Sequence, residues 1–222
     1  MPMVRAALLG CAALLTIGAA PNWNTQVAKT DGGHRLGNPD AKVQLIAFES
    51  YTCPTCGRFE KEASGALKAG YVHSGKVSLE IRHVIRDPVD MTAALLTNCG
   101  ATSKFFGNHT AIFLSQDRWL PKVHGASQAQ RNRWFTGDNS ARRRAIAADV
   151  GFYSIMENRG YRRTDLDKCL NDEAKARKLA ETTAADDEKY DISGTPSFAL
   201  NGLLLFGTHG WNLLQPQIDA RL

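Results

Sequence analysis

The sequence lacks several features that would point to other kinds of protein. It contains no second Cys-x-x-Cys motif, no His-x₃₋₅-His pair and no internal repeat, so it lacks the ligand spacing of a zinc module and the period of a solenoid. After residue 20, no apolar run approaches the roughly 20 residues that span a bilayer. The net charge of +5 is not gathered into basic blocks, and we therefore expect no nucleic acid as a partner.

The amino terminus has the pattern of a secretory signal. Arg5 precedes the apolar run of residues 6–20, which ends in small residues that suit cleavage near 18–20. We predict that residues 1–20 are a signal peptide and that the protein is periplasmic and soluble after its removal. Two alternatives remain open. "LLGC" resembles a lipobox that would place a lipid on Cys11, and the segment would also serve as an uncleaved anchor.

The hydrophobic pattern after residue 41 predicts alternating strands and helices. Residues 42–48 are an apolar run of strand length, a helical pattern begins at Pro54, and residues 75–85 alternate in polarity. This order predicts a βαβ unit with a parallel strand pair. Further helices are expected near 88–101, 105–115, 126–135, 140–157 and 164–187. Two short strands around Asn201-Gly202 and a final helix follow.

These elements predict an α/β fold with a mixed central sheet, in the order β-α-β, helical insertion, β-β-α. The first part of the α/β domain is expected over residues 21–87, an inserted all-helical domain over 88–187, and the second part over 188–222. Residues 21–41 are polar and rich in Gly, Asn and Pro, and are expected to be an extended lead-in.

The motif Cys53-Pro54-Thr55-Cys56 lies where the first strand gives way to a helix. If Cys53 is the N-cap, the unpaired N–H groups and the helix dipole favour its thiolate, whereas Cys56 lies a turn further in. Pro54 suits the first helical turn. The pattern predicts a redox-active dithiol with an exposed attacking Cys53 and a shielded resolving Cys56. A structural disulfide and a thiolate site for Cu(I) or Zn(II) remain the alternatives.

Two further features bear on this chemistry. Removal of the signal leaves four of the five cysteines, and an even number in an oxidising compartment predicts that Cys99 pairs with Cys169. The alternative is two separate buried thiols. Pro196 stands in a tight turn before the last hairpin and is a candidate for a cis peptide bond, with an ordinary trans turn as the alternative.

Three segments together resemble the bacterial DsbA-type thiol:disulfide oxidoreductases: "GNPDAKVQLIAFESYTCPTCGRFEKE", the helical insert and "DISGTPSFALNG". The resemblance implies a thioredoxin fold with an inserted helical domain. It implies that Cys53 is the nucleophile and Cys56 the resolving cysteine, with cis-Pro196 beside them. Thr195 would then offer its backbone to an extended substrate peptide.

The resemblance also implies the protein's partners. They would be reduced or misoxidised exported proteins and a membrane redox partner that recycles the dithiol. No cofactor and no metal are implied, and a monomer is the default expectation. The second disulfide that some members carry in the insert matches Cys99 and Cys169.

Two residues depart from the family's pattern. Strong oxidases usually have His where this chain has Thr55, and a neutral hydroxyl stabilises a thiolate less, so we expect a less oxidising disulfide. The family's buried glutamate is replaced by Ala47, while Glu49 lies two residues later on the same strand face. We hypothesise that Glu49 relays a proton to or from Cys56; the alternative is a solvent-exposed Glu49 at the strand end.

The leading functional prediction is an exported dithiol oxidase that introduces disulfides into secreted proteins. An isomerase or reductase that uses the same residues is the second candidate. A metal-binding module built on Cys53 and Cys56 is the third.

Overall fold

The computed structural model describes residues 21–222, so the predicted signal peptide and Cys11 lie outside the described residues. Within this range six strands form one mixed sheet in the order β1-β2-β4-β3-β5-β6. The strands are β1 (Val27–Lys29), β2 (His34–Leu36), β3 (Val43–Glu49), β4 (Val77–His83), β5 (Ser197–Leu200) and β6 (Leu203–Leu204). The thioredoxin fold with its mixed sheet is confirmed.

Ten α-helices accompany the sheet within residues 21–222. They are α1 (Pro54–Ala66), α2 (Pro88–Thr97), α3 (Phe105–Leu114), α4 (Gln116–His124), α5 (Gln128–Phe135), α6 (Asn139–Val150), α7 (Phe152–Glu157), α8 (Arg163–Leu170), α9 (Glu173–Tyr190) and α10 (Trp211–Asp219). A π-helical turn, Leu67–Val72, continues α1. None of the described helices combines the length and apolar character needed to cross a bilayer.

The central position of β3 explains its nearly continuous apolar sequence. It pairs in parallel with β4 and antiparallel with β5, so neighbouring strands flank it on both sides. Val43, Leu45 and Ala47 pack into one hydrophobic cluster, whereas Phe48 packs into another. A strand covered on both faces needs apolar residues at consecutive positions. The predicted parallel pair is confirmed, and its carboxyl end delivers the chain directly to the dithiol.

The structure adds a hairpin that the sequence did not predict. Residues 21–41 were expected to be an extended lead-in, but β1 and β2 pair antiparallel there, and β2 continues the sheet along β4. Each strand has three residues, which is too short for a period of two to emerge from the sequence.

The structure differs from the predicted helices in three places. The interval 140–157 is divided because Gly151 has φ 94°, a left-handed conformation that suits glycine and ends a helix. The interval 164–187 is divided because the Asp172 side chain accepts from Lys175 N and starts a new helix. The third, α4, was not predicted, because Pro121 interrupts its pattern.

The segments of regular structure between β4 and β5 are all helical, and helices α2 to α9 share one hydrophobic cluster. Cys53 and Cys56 belong to this cluster although α1 follows a strand of the sheet. The next turn of α1 packs instead into the sheet's cluster, through Phe59 and Ala63. The dithiol therefore lies where the helical core meets the sheet core.

Candidate active site

The dithiol is held at the first turn of α1. Cys53 is the N-cap with extended backbone, Pro54 occupies the first helical turn, and Cys56 lies one turn inside the helix. Both cysteines are free thiols in the structure. Cys56 is fully buried and Cys53 is 6% exposed, so the attacking cysteine is less exposed than the sequence suggested. Cys53 packs in the cluster of the helical region, and its thiol contacts the Thr195 carbonyl in the loop before β5.

The two thiols have opposite electrostatic environments. Hydrogen bonding by the Cys56 thiol, followed by hydrogen bonds from Thr195 and from the backbone of Cys56 and Thr55, lowers the pKa of Cys53 to about 5 despite its partial burial. Burial raises the pKa of Cys56, and the Cys53 thiol and the Glu49 charge add to this. A thiolate is therefore favoured at Cys53 and strongly disfavoured at Cys56.

The loop before β5 completes one side of the site. The peptide bond between Thr195 and Pro196 is cis, and the Cys53 thiol donates to the Thr195 carbonyl at 3.1 Å. His209 lies on the other side of this loop, where its Nδ1 donates to the Pro196 carbonyl at 2.7 Å. The sequence offered no spacing that linked His209 to the site, because the contact depends on how the hairpin folds back.

A cavity of about 510 Å³ begins beside Thr55 and runs between α1 and the segment after β6. Phe59, His209 and Leu213 are among its lining residues. Several large apolar side chains on this part of the chain are exposed, namely Leu203, Phe206 and Leu213. Phe59 and Leu213 give the cavity an apolar side, next to Thr55 between the two cysteines.

Gln116 from the unpredicted helix α4 supports the loop before Cys53. Its Nε2 donates to the carbonyl of Tyr51 at 2.7 Å and to that of Cys53 at 2.9 Å, and the side chain is buried. A Cβ atom on Gly57 would lie 2.0 Å from Gln116 Oε1, so the glycine leaves room for the Gln116 side chain in this position. Nothing in the sequence around residue 116 indicated this role.

Glu49 is buried, so the alternative of a solvent-exposed Glu49 is wrong. It lies with Glu60 and His109 in a cluster whose ligand-capable atoms are all within 4.8 Å of one another. His109 Nε2 is 3.8 Å from Glu49 Oε2 and 3.4 Å from Glu60 Oε1. Among residues 21–222, this is the one group of His, Cys, Asp or Glu side chains close enough together to hold a metal ion, and it contains no cysteine.

The two glutamates differ in protonation. Burial raises the pKa of Glu49 well above its ordinary value, and the charges of Glu60 and Cys53 raise it further. Burial also disfavours the charged form of Glu60, but the charge and hydrogen bonding of His109 outweigh it and lower its pKa. The protonated form is therefore favoured at Glu49 and the ionised form at Glu60.

A chain of hydrogen bonds fixes the tautomer of His109. Thr97 Oγ1 donates to the Ala94 carbonyl, so it must accept from the Tyr51 hydroxyl at 3.0 Å. The Tyr51 oxygen then accepts from His109 Nδ1 at 2.9 Å. Nδ1 therefore carries a proton, and Nε2 is the ring nitrogen that faces the two glutamates.

Sequence reasoning missed Glu60 and the role of His109, although a signal existed for each. Glu60 lies four residues after Cys56 on the buried side of α1. His109 lies four residues from both Phe105 and Phe113, on the buried side of α3. Polar residues at core-facing helical positions require buried partners, and here the partners are each other.

Cys99 and Cys169 are joined, with Cα atoms 5.7 Å apart. The bond connects the segment after α2 to α8 and closes a sequence separation of 70 residues. It lies in the helical part of the chain.

Comparisons with known proteins agree with this geometry. The thioredoxin family model matches residues 29–220. The crystal structure of a protein-disulfide isomerase from Novosphingobium aromaticivorans is 52% identical with a TM-score of 0.83, over 86% of this chain and 97% of that one. Wolbachia pipientis alpha-DsbA1 is 21% identical with a TM-score of 0.67, over 84% of this chain and 88% of that one, and shows the shared fold.

Named relatives point the same way. A Rickettsia conorii protein named as a protein-disulfide oxidoreductase is 26% identical over 188 residues, which are 84% of this chain and 59% of that protein. Its Rickettsia typhi counterpart is 27% identical over 76% of this chain and 54% of that protein. The chain thus spans little more than half the length of these relatives. The family model over residues 29–220 shows that the chain belongs to the thioredoxin family, and the 52% identical structure is that of a protein-disulfide isomerase.

Proposed function

We propose that this chain is an exported thiol:disulfide oxidoreductase that acts on other exported proteins through a mixed disulfide at Cys53. The observation that carries the proposal is the asymmetry of the dithiol. Hydrogen bonding, first from Cys56, lowers the pKa of Cys53 to about 5, while burial raises that of Cys56. At neutral pH one sulfur is therefore a nucleophile and the other is a protonated reserve.

In the reducing direction the steps are as follows. The Cys53 thiolate attacks one sulfur of a substrate disulfide, the S–S bond breaks, and the released substrate thiolate takes up a proton. Cys56 loses its proton and attacks Cys53 Sγ, which forms the Cys53–Cys56 disulfide and releases the second substrate thiolate. Oxidation of a substrate dithiol is the same sequence in reverse.

The loop of Thr195 and the cavity beside Thr55 suit an extended peptide. The Thr195 carbonyl lies 3.1 Å from Cys53 Sγ, and Thr195 shortly precedes β5, so an extended peptide paired with its backbone would lie beside the dithiol. The exposed Phe206 and Leu213 offer apolar contacts along the same path. Recognition through backbone and apolar contacts fits substrates of varied sequence.

Glu49 is proposed as the proton relay for Cys56. The resolving step requires a base, because burial raises the pKa of Cys56. A buried glutamate with a raised pKa accepts a proton more readily than an ordinary carboxylate, and it lies close enough to Cys56 for its charge to affect that thiol. His109 Nε2 lies near a carboxylate oxygen of both Glu49 and Glu60, so the relay residue is held in a buried polar cluster.

The relay is tested by the pH profile of dithiol formation. Glu49→Gln should slow the resolving step by roughly a hundredfold and remove the inflection that Glu49 causes, since proton transfer typically contributes ~10²–10⁴-fold. Stopped-flow reduction of the Cys53–Cys56 disulfide by a small dithiol, measured across pH, supplies the profile. Glu188→Gln, an exposed change on α9, is the control. Unchanged rates and profile in Glu49→Gln would eliminate the relay.

The exchange itself is tested by trapping. A Cys56→Ser variant, mixed with a scrambled multi-disulfide protein, should accumulate a mixed disulfide at Cys53 because the resolving thiol is absent. The adduct should be visible by intact mass and should vanish with reductant. Cys53→Ser is the matched control and should form none. Failure of Cys56→Ser to form any adduct would overturn the proposed function.

The redox direction has a second candidate, an isomerase or reductase. Two observations favour it: the 52% identical structure bears the name protein-disulfide isomerase, and Thr55 replaces the histidine of strong oxidases. The equilibrium potential of Cys53–Cys56 against glutathione and the rate of scrambled-protein refolding distinguish the two.

A metal-binding module is the third candidate function. Stoichiometric zinc or copper retained after purification, without dithiol turnover, would favour it.

Location and partners belong to the same proposal. We place the mature protein in the periplasm as a soluble monomer, with reduced or misoxidised exported proteins as substrates and a membrane redox partner for recycling. We also propose that residues 88–187 act as an inserted helical domain, because they contribute the cluster that covers Cys53 and Cys56.

A further inference from the structure

Another cavity, lined mainly by polar residues, lies apart from the dithiol, between the turn after β1 and helix α9. Its volume is about 220 Å³. Three lysines and two histidines are among its lining residues, together with Asn98: Lys29, His34, His83, Lys175 and Lys178. Asp31 is its one acidic lining residue, so the cavity keeps an excess of positive charge.

The lysines of this cavity have no anionic partner. Among residues 21–222, no carboxylate lies within 4.0 Å of the ammonium groups of Lys29, Lys175 or Lys178. Partial burial, followed by the nearby charge of Lys29, lowers the pKa of Lys175. The charge of Asp172 acts in the opposite sense but does not outweigh these effects. Two ammonium groups held close together repel each other, and an anion between them would remove that cost.

The histidines supply a second, independent observation. Asn98 Nδ2 donates to the Ala94 carbonyl at 2.9 Å, which fixes the orientation of the amide, and it also lies 3.0 Å from His83 Nε2. His83 Nε2 must therefore be the acceptor, and a neutral His83 carries its proton on Nδ1. That Nδ1 is buried without a hydrogen-bond partner, and so is Nδ1 of His34. Both side chains are more than nine-tenths buried.

We propose that this cavity is a binding site for a tetrahedral oxyanion of the phosphate or sulfate type. Lys29 and Lys175 would neutralise its charge from two different elements, β1 and α9, and His83 would supply a buried N–H donor. Such an anion offers several acceptor oxygens at once, which matches a group of donors that lacks acceptors. The cavity is large enough for the anion and ordered water.

The site is tested by titrating the purified full chain with inorganic phosphate or sulfate at constant ionic strength, with chloride as the exchanged salt. The ring resonances of His34 and His83 are followed by NMR, and affinity is measured by calorimetry. The wild type should show saturable shifts of both histidines. An added anion should also raise the pKa of His34, which burial and then the charges of Lys175 and Lys29 lower to about 4.

Two charge-matched variants on α9 complete the test. Lys175→Met should weaken binding about tenfold or more, the usual effect of removing a charged hydrogen-bond donor. Arg177→Met removes the same charge from an exposed position outside the cavity and should change affinity less than about twofold. Binding of either oxyanion with this pattern supports the site, and the ratio of the two affinities identifies the preferred one. Shifts that chloride reproduces, an absence of saturation, or equal binding by Lys175→Met would overturn it.

Discussion

The hydrogen bonds that lower the pKa of Cys53 come from Cys56, from Thr195 and from backbone groups. Thr55 contributes through its backbone, not its hydroxyl. This refines the expectation that the Thr55 hydroxyl would stabilise the thiolate weakly. At the scale of single residues, a charged side chain at position 55 would therefore stabilise the Cys53 thiolate without replacing a hydrogen bond that the Thr55 side chain makes to it.

Thr55→His should make the Cys53–Cys56 disulfide more oxidising. An imidazolium beside Cys53 would lower its thiolate pKa further, and ~1 pKa unit corresponds to about 1.4 kcal/mol, or ~30 mV for this two-electron couple. We expect a rise of at least that size, measured by equilibration with glutathione. Thr55→Val removes only the hydroxyl and should leave the potential nearly unchanged. A fall in potential for Thr55→His would contradict this account of the site.

At the scale of elements, α4 holds the end of the β3–α1 connection in place. Gln116→Met keeps the shape of the side chain but leaves the carbonyls of Tyr51 and Cys53 without their donor. We expect the free energy of unfolding to fall by roughly 1–3 kcal/mol, the cost of unsatisfied buried polar groups. Urea denaturation measures it. Gln128→Met on the exposed face of α5 should change stability by less than about 0.5 kcal/mol. Equal effects of the two changes would refute a supporting role for Gln116.

At the scale of the whole molecule, the Cys99–Cys169 disulfide constrains the helical part of the chain. Its loop of 70 residues predicts a stabilisation of about 4 kcal/mol through the unfolded state. The double variant Cys99→Ala/Cys169→Ala should lose stability of that order in urea, yet still form the mixed disulfide at Cys53 when Cys56→Ser is added. Wild-type protein denatured in the presence of reductant is the control and should match the variant. A variant as stable as the oxidised wild type would disprove this role.

Acid should also weaken the molecule through its buried histidines. Burial, followed by the charges of Lys175 and Lys29, lowers the pKa of His34 to about 4, against about 6.5 in an unfolded chain. The contribution of His34 to the free energy of unfolding is complete above pH ~6.5 and is lost as the pH falls through 4. The loss amounts to ~3 kcal/mol by pH 4. The pKa of His83 is lowered in the same direction by burial.

This contribution is isolated by comparing wild type with His34→Gln. Between pH 7 and pH 4 the wild type should lose about 3 kcal/mol more stability than the variant, as measured by urea midpoints. The comparison is differential because Asp90 acts in the opposite sense: burial raises its pKa to about 7, so its protonation favours the folded state as pH falls. A constant difference between the two proteins across this range would show that His34 does not titrate as described.

Much of the fold follows from the sequence because its signals are local. The apolar run of β3, the Asn201-Gly202 turn and the proline at the start of α1 each act within a few residues. The elements that were missed are short or interrupted. β1 and β2 are stabilised by pairing in the sheet, and α4 is helical despite Pro121 because Trp119 and Leu120 are buried.

By itself, the sequence determined that two cysteines stand at a strand-to-helix junction with a proline between them. That arrangement is local, and the free N–H groups of a helix terminus follow from it directly. Only the tertiary structure decided the rest. The carbonyl of Thr195 in the cis-Pro loop contacts the Cys53 thiol. Gln116 donates hydrogen bonds to the turn before α1, and Glu49 is buried next to Glu60 and His109. These contacts join residues up to 142 positions apart, and the burial and hydrogen bonds of the packed molecule shift the pKa values of Cys53, Cys56 and Glu49. Burial is a property of the packed molecule, so spacing in the sequence does not reveal it.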